Sequence, residues 1–132
     1  LAIQKVSLKG TVLKPNMIVP GTKNSKKATT EEIAKKTIEC LKKNVPNEVP
    51  GIAFLSGGQS EQEASKNLDA INKINDTSFL ITFSYGRALQ QSALKTWAKD
   101  MNNSKEIHSV FNHRSKMNSL ASKGEWSHSL EI

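Results

Sequence analysis

Three short stretches of the chain carry residue types able to act on an anionic carbonyl compound. The first is Leu13-Lys14-Pro15-Asn16-Met17, in which an amine stands between apolar neighbours at the end of an apolar run. Desolvation there would disfavour the ammonium and free the amine to attack a carbonyl carbon. Taken alone, Lys14 reads more readily as a snorkelling surface lysine. The second is Leu55-Ser56-Gly57-Gly58-Gln59-Ser60. Two glycines ahead of a helix start let backbone N–H groups approach an anion, and the helix dipole adds partial positive charge. A tight strand-to-helix turn can need the same glycines without a ligand. The third is Phe83-Ser84-Tyr85-Gly86-Arg87-Ala88, a turn with an arginine able to grip a phosphate through paired hydrogen bonds or to remain a surface charge.

The elements that must position these residues follow from hydropathy. Gly10–Leu13, Gly51–Leu55 and Phe79–Phe83 are nearly continuous apolar runs, the pattern of parallel strands buried on both faces. Helical patterns separate them. Thr29 or Thr30 caps a helix with Glu31 and Glu32 in its first turn and an apolar stripe of Ile33, Thr37, Ile38 and Leu41; Asn44 to Pro46 ends it. Ser60-Glu61-Gln62-Glu63 forms a capping box for a helix burying Ala64, Leu68 and Ile71. A third helix begins near Arg87 and buries Leu89, Ala93 and Trp97. A weaker pattern runs from Lys105 to Lys123 through Ile107, Val110, Phe111, Met117 and Leu120, and residues 124–132 form an aperiodic tail. Alternating strands and helices predict an α/β fold with parallel crossovers, which places all three motifs at the C-terminal ends of the strands. Ser56 follows Lys14 by 42 residues and Arg87 follows Ser56 by 31, each one βα step plus a loop.

The chain has 132 residues, enough for one ordinary domain, and carries 36% hydrophobic residues and a net charge of +7. The charge favours anionic partners, but no aromatic residue interleaves the lysines between Lys5 and Lys43, which argues against nucleic acid. Mean hydropathy is −0.48, and no apolar run has the length of a membrane helix. Leu1 stands where an initiator Met would, so the chain is read as a processed form or, preferably, a piece of a longer one; its first residues are too polar for a secretion signal. The single cysteine, Cys40, fits a reducing cytosolic setting and is expected to be a buried, inert thiol. His108, His113 and His128 are too scattered to form a metal site.

Gly10 to Met17, Phe54 to Glu61 and Thr82 to Gln90 resemble, in order and spacing, the class I fructose-bisphosphate aldolases of eukaryotic type, with similarity returning at Asn118-Ser119-Leu120-Ala121. The resemblance is to the C-terminal portion only. It implies a partial (β/α)₈ TIM barrel, about the last three βα units plus a C-terminal helix, over residues 1–123. It implies that Lys14 forms the Schiff base, that Ser56 and Gly57 hold the ketose 1-phosphate, and that Ser84, Gly86 and Arg87 line the same phosphate site. The implied protein is a cytoplasmic glycolytic lyase, a homo-tetramer at full length, with no metal or organic cofactor. The family's earlier strands, which carry proton-handling residues and the second phosphate site, have no counterpart in this sequence, and a short deletion falls near Asn75 to Ser78.

Two other classes of function stand beside the lyase. One is a truncated, non-catalytic relative that binds a sugar phosphate or a protein. The other is nucleic-acid binding through the basic surface.

Overall fold

Capping fixes where the first two long helices begin. Thr29 accepts from the Glu32 N–H while the Glu32 carboxylate accepts from the Thr29 N–H, and α1 runs from Thr30 to Asn44. Ser60 and Glu63 repeat this reciprocal box at the start of α2, Glu61–Lys73. The computed structural model describes residues 1–131. In chain order the elements are a 3₁₀ turn at Leu8–Gly10, β1 (Val12–Leu13), α1, β2 (Gly51–Phe54), α2, β3 (Leu80–Phe83), α3 (Arg87–Lys99), α4 (Ser104–Ala121) and a 3₁₀ turn at His128–Leu130.

The strands form one parallel sheet in the order β1-β2-β3. The register sets Ile52 beside Ile81 and Phe54 beside Phe83. Side chains alternate along a strand, so this row shares one face. Onto that face pack Ile33, Ile38 and Leu41 of α1, Ala64, Leu68 and Ile71 of α2, and Met117 and Ala121 of α4. The other face differs. Val12 is 63% and Leu80 78% exposed. Strands expected to be buried on both sides are thus covered on one, because the crossover helices α1 and α2 pack on the Ile52–Phe54 side.

Two side chains depart from the sequence reading. Trp97, expected in the core, is 48% exposed, and it lies with exposed Leu94 on one side of α3. The α3 positions that are buried are Ala88 and Ala93. Cys40 is exposed rather than buried. It lies seven residues from Ile33 and three from Thr37, at the outer edge of the stripe of Ile33, Thr37, Ile38 and Leu41 rather than at its centre.

The segment read as a tail is docked. Trp126 is buried; its backbone N–H donates to Asp69 Oδ1 at 2.9 Å and its indole Nε1 to Glu131 Oε1 at 2.9 Å. Arg114, buried on α4, grips Glu131 through both terminal nitrogens at 2.8 and 2.6 Å. Asp69 in turn pairs with Lys73 at 2.6 Å. Hydropathy periodicity cannot find this segment, because a polar fork on α4 and a carboxylate on α2 hold it down.

Two outcomes check this arrangement by chemical denaturation. Phe54→Ala, in the covered face, should cost about 3–5 kcal/mol, whereas Leu80→Ala should stay within about 0.5 kcal/mol; equal losses would mean that both faces are packed. The Glu131 carboxyl is pushed up by burial, but hydrogen bonds from Arg114 and Trp126 and the nearby charges outweigh this and hold it below the usual range. A lowered folded value means that the latch contributes fully above the unfolded value of about 4.3 and is lost as pH falls through the folded one. Glu131→Gln should therefore flatten the stability profile in that acid window and leave its alkaline side unchanged in shape.

Candidate functional site

Parallel pairing brings the three motifs to one end of the sheet. Lys14 directly follows β1, Ser56 lies two residues past β2, and Ser84 directly follows β3. The pairing continues beyond the strands, with Leu55 N–H donating to the Pro15 carbonyl at 3.0 Å and Ser84 N–H donating to the Phe54 carbonyl at 2.8 Å. Extending the register sets Lys14 beside Ala53, and alternation places it on the same face as Val12. That face is the uncovered one. Lys14 is exposed, so the apolar enclosure expected around its amine is not provided by the described residues. Three residues on, Met17 is buried, and Ile18 N–H donates to the Thr37 hydroxyl at 3.0 Å, which ties the loop after Lys14 to α1.

The 56–60 turn is built for close approach. Gly57 and Gly58 have φ of 57° and 83°, in the left-handed region that glycine tolerates. A Cβ on Gly57 would also run into the Asn16 side chain, so the loop after β1 is seated on this turn. Gln59 folds back: its backbone N–H and its side-chain Nε2 both donate to the Ser56 carbonyl, at 3.1 and 2.9 Å. Buried Asn67 of α2 holds the Gln59 amide through Nδ2 to Oε1 at 2.7 Å. A groove of about 290 Å³ separates this turn from the loop carrying Lys26 and Lys27.

The third turn is anchored by Tyr85. Its ring is buried, its hydroxyl donates to the Ala64 carbonyl at 3.0 Å, and burial pushes the phenol well above its ordinary value. Gly86 occupies the N-cap of α3 and offers no side-chain cap, in contrast to α1 and α2. Arg87, the first helical residue, is exposed and forms no ion pair among the described residues.

Sequence reasoning found the residues at the strand ends and missed those that hold them: Asn16, Gln59, Asn67 and Tyr85. Asn67 carried a signal, since it sits three residues from Ala64 on the buried stripe of α2. Of the histidines, His113 comes within 3.7 Å of Glu131, while His108 and His128 are exposed. No described helix is long and apolar enough to cross a membrane.

A parallel α/β segment with a lysine, a diglycine turn and a helix-start arginine at one sheet end has the architecture of α/β folds that gather polar groups beyond their strands. The chain belongs to the class-I fructose-bisphosphate aldolase family, whose model matches residues 1–131. It is 51% identical over 127 residues to fructose-bisphosphate aldolase B of Sparus aurata, covering 96% of this chain and 35% of that protein. It is 48% identical over 125 residues to "Fructose-bisphosphate aldolase 4, cytosolic" of Arabidopsis thaliana, covering 94% of this chain and 32% of that one. Among solved structures, fructose-bisphosphate aldolase from Plasmodium falciparum, crystallised with TRAP and a small-molecule inhibitor, superposes with a TM-score of 0.89 at 44% identity. That match covers 93% of this chain and 35% of the Plasmodium chain. The sequence thus spans about a third of the length of these relatives.

Gly57→Ala tests the turn. The left-handed φ and the Asn16 contact both oppose a methyl group, and such backbone strain is worth about 1–3 kcal/mol. We expect a loss of stability in that range, read by thermal melting, whereas Gly10→Ala, whose Cβ meets nothing within 4 Å, should be nearly silent. A silent Gly57→Ala would mean that the turn is not held as described.

Proposed function

We propose that the chain is the last three βα units and C-terminal helix of a (β/α)₈ aldolase barrel, and that it contributes the Schiff-base lysine and the 1-phosphate site of a cytoplasmic fructose 1,6-bisphosphate lyase. The observation that carries the reading is the convergence of Lys14, the Ser56-Gly57 turn and the Ser84-Gly86-Arg87 turn on one end of a parallel sheet. Free backbone donors at a helix start and an unpaired guanidinium suit a phosphate dianion. The lysine stands one strand away from the nearer turn, where the ketone carbon of a bound 1-phosphate would be within its reach.

The chemistry balances on the lysine nitrogen. Unprotonated Lys14 Nζ adds to the ketone carbon, and the carbinolamine loses water to give an iminium. The neighbouring C3–C4 bond then breaks as the C4 hydroxyl gives up its proton. Its electron pair flows to the iminium nitrogen and leaves an enamine, while C4 departs as the aldehyde of glyceraldehyde 3-phosphate. Protonation of the enamine and hydrolysis release dihydroxyacetone phosphate and regenerate the amine. The base that takes the C4 hydroxyl proton belongs, by family resemblance, to strands beyond this chain, as do the second phosphate site and the assembly into a homo-tetramer.

One observation favours a second reading, a non-catalytic relative that binds a sugar phosphate: Lys14 stands exposed on the uncovered face. Borohydride reduction in the presence of dihydroxyacetone phosphate, followed by peptide mapping, separates the two. The lyase reading expects label at Lys14, none in Lys14→Met, and roughly tenfold less or lower in Arg87→Ala, the cost of a lost charge-assisted contact. Label scattered over Lys23, Lys26 and Lys42, or indifferent to Arg87, would overturn the Schiff-base assignment and leave the binding module.

A further inference from the structure

We infer that Asn67 and Gln59 are positioning residues that aim the Gly57 N–H at the substrate phosphate; the inference rests on the reading of Ser56 and Gly57 as a phosphate-binding turn. The Ser56 carbonyl accepts twice from one residue, from Gln59 N at 3.1 Å and from Gln59 Nε2 at 2.9 Å. The peptide joining Ser56 to Gly57 is trans, so its C=O and N–H point in opposite directions. Fixing the carbonyl toward Gln59 turns the Gly57 N–H away from Gln59 and α2. That N–H meets no acceptor among the described residues. It is a donor held in place before any ligand arrives, which is what electrostatic recognition of an anion rewards.

Gln59 can hold the carbonyl only if its amide is the right way round. Asn67 decides this. Its Nδ2 donates to Gln59 Oε1 at 2.7 Å, which presents Nε2 to the Ser56 carbonyl and, at 3.6 Å, to Met17 Sδ. With the amide reversed, an oxygen would face the Ser56 carbonyl and repel it. The carbonyl would then be held by the Gln59 backbone N–H alone, beside a glycine whose backbone resists rotation least. Asn67 touches no substrate; it acts through Gln59, and Gln59 through the peptide.

The test is an inorganic phosphate titration of the ¹⁵N-labelled 132-residue chain, following the amide resonances of Gly57 and Gly86. In the wild type both should move saturably. Asn67→Asp keeps the shape but replaces the donor with an acceptor, which should reverse the Gln59 amide. Gln59→Met removes the side-chain donor at a half-buried site and decides the matter if the aspartate variant does not fold. In both we expect roughly tenfold weaker phosphate binding, the equivalent of one hydrogen bond, with the Gly57 response lost and that of Gly86 retained. A purely structural role would shift both glycines alike. A Gly57 response unchanged in the variants, or absent from the wild type while Gly86 still responds, would overturn the inference and leave the phosphate site standing. Silence of both glycines in the wild type would remove the phosphate reading and this inference with it.

Discussion

Everything at the chemical end of the molecule depends on β2 being paired in parallel on both of its edges. Parallel pairing cannot be closed by a hairpin; each neighbour must be reached by a crossover of a dozen residues or more. α1 and α2 are those crossovers, and both dock on the face that holds Ile52 and Phe54, the two fully buried side chains of β2. Because every strand enters and leaves the sheet in the same sense, every loop that follows a strand emerges on the same side. Two backbone hydrogen bonds beyond the strands, to the Pro15 and Phe54 carbonyls, carry that alignment into the loops. Lys14, separated from Arg87 by 73 residues of chain, reaches the same end of the sheet through no contact of its own.

What was legible in the sequence was local or strictly periodic. The cap at Thr29 or Thr30 and the box at Ser60 announce their helices within four residues, and the apolar stripes of α1 and α2 repeat at helical spacing, so starts and buried faces agree with the structure, which settles the first cap on Thr29. The strands were legible as apolar runs, but a run says only that both faces are apolar. It does not say that this length of chain covers them. Trp97 shows the same limit from the helix side: its spacing from Leu89 and Ala93 argued for burial, yet α3 buries the small Ala88 and Ala93, leaves Leu89 half-buried and presents Leu94 and Trp97 outward. The docked C-terminal segment was illegible for another reason. Arg114, Asp69 and Glu131 are far apart in sequence and polar, and nothing in hydropathy links a buried fork on one helix to a carboxylate seventeen residues later.

The family motifs gave the candidate site residues directly, and the structure adds the layer beneath them. Ser56 and Gly57 are held by Gln59, Gln59 by Asn67, and the Ser84–Gly86 turn by the hydroxyl of Tyr85 on the backbone of Ala64. Both supports end on α2, so one helix sets the shape of two neighbouring turns. A buried amide such as Asn67 is tolerable only because its partner is fixed; left unpaired it would cost about 1–3 kcal/mol. The same constraint that stabilises α2 therefore orders the turns.

In the proposed function, holding a phosphate and activating a lysine would place different demands on the structure. Anion binding needs oriented donors, and those come from turns whose geometry is closed within a few residues: glycines with left-handed φ, a pinned carbonyl, an uncapped helix start with an arginine. Activation of an amine needs removal of water from around it, which is a property of everything that surrounds the side chain. Lys14 lies on the sheet face where Val12 and Leu80 are also exposed, opposite the face that the helices cover. A charge-dense turn can thus be specified by a short motif, whereas a low-dielectric setting for Lys14 has to be completed by chain packed over that face. In the aldolase reading, the segment carries the nucleophile and one end of the substrate, and the environment that makes the nucleophile reactive comes from the remainder of the barrel.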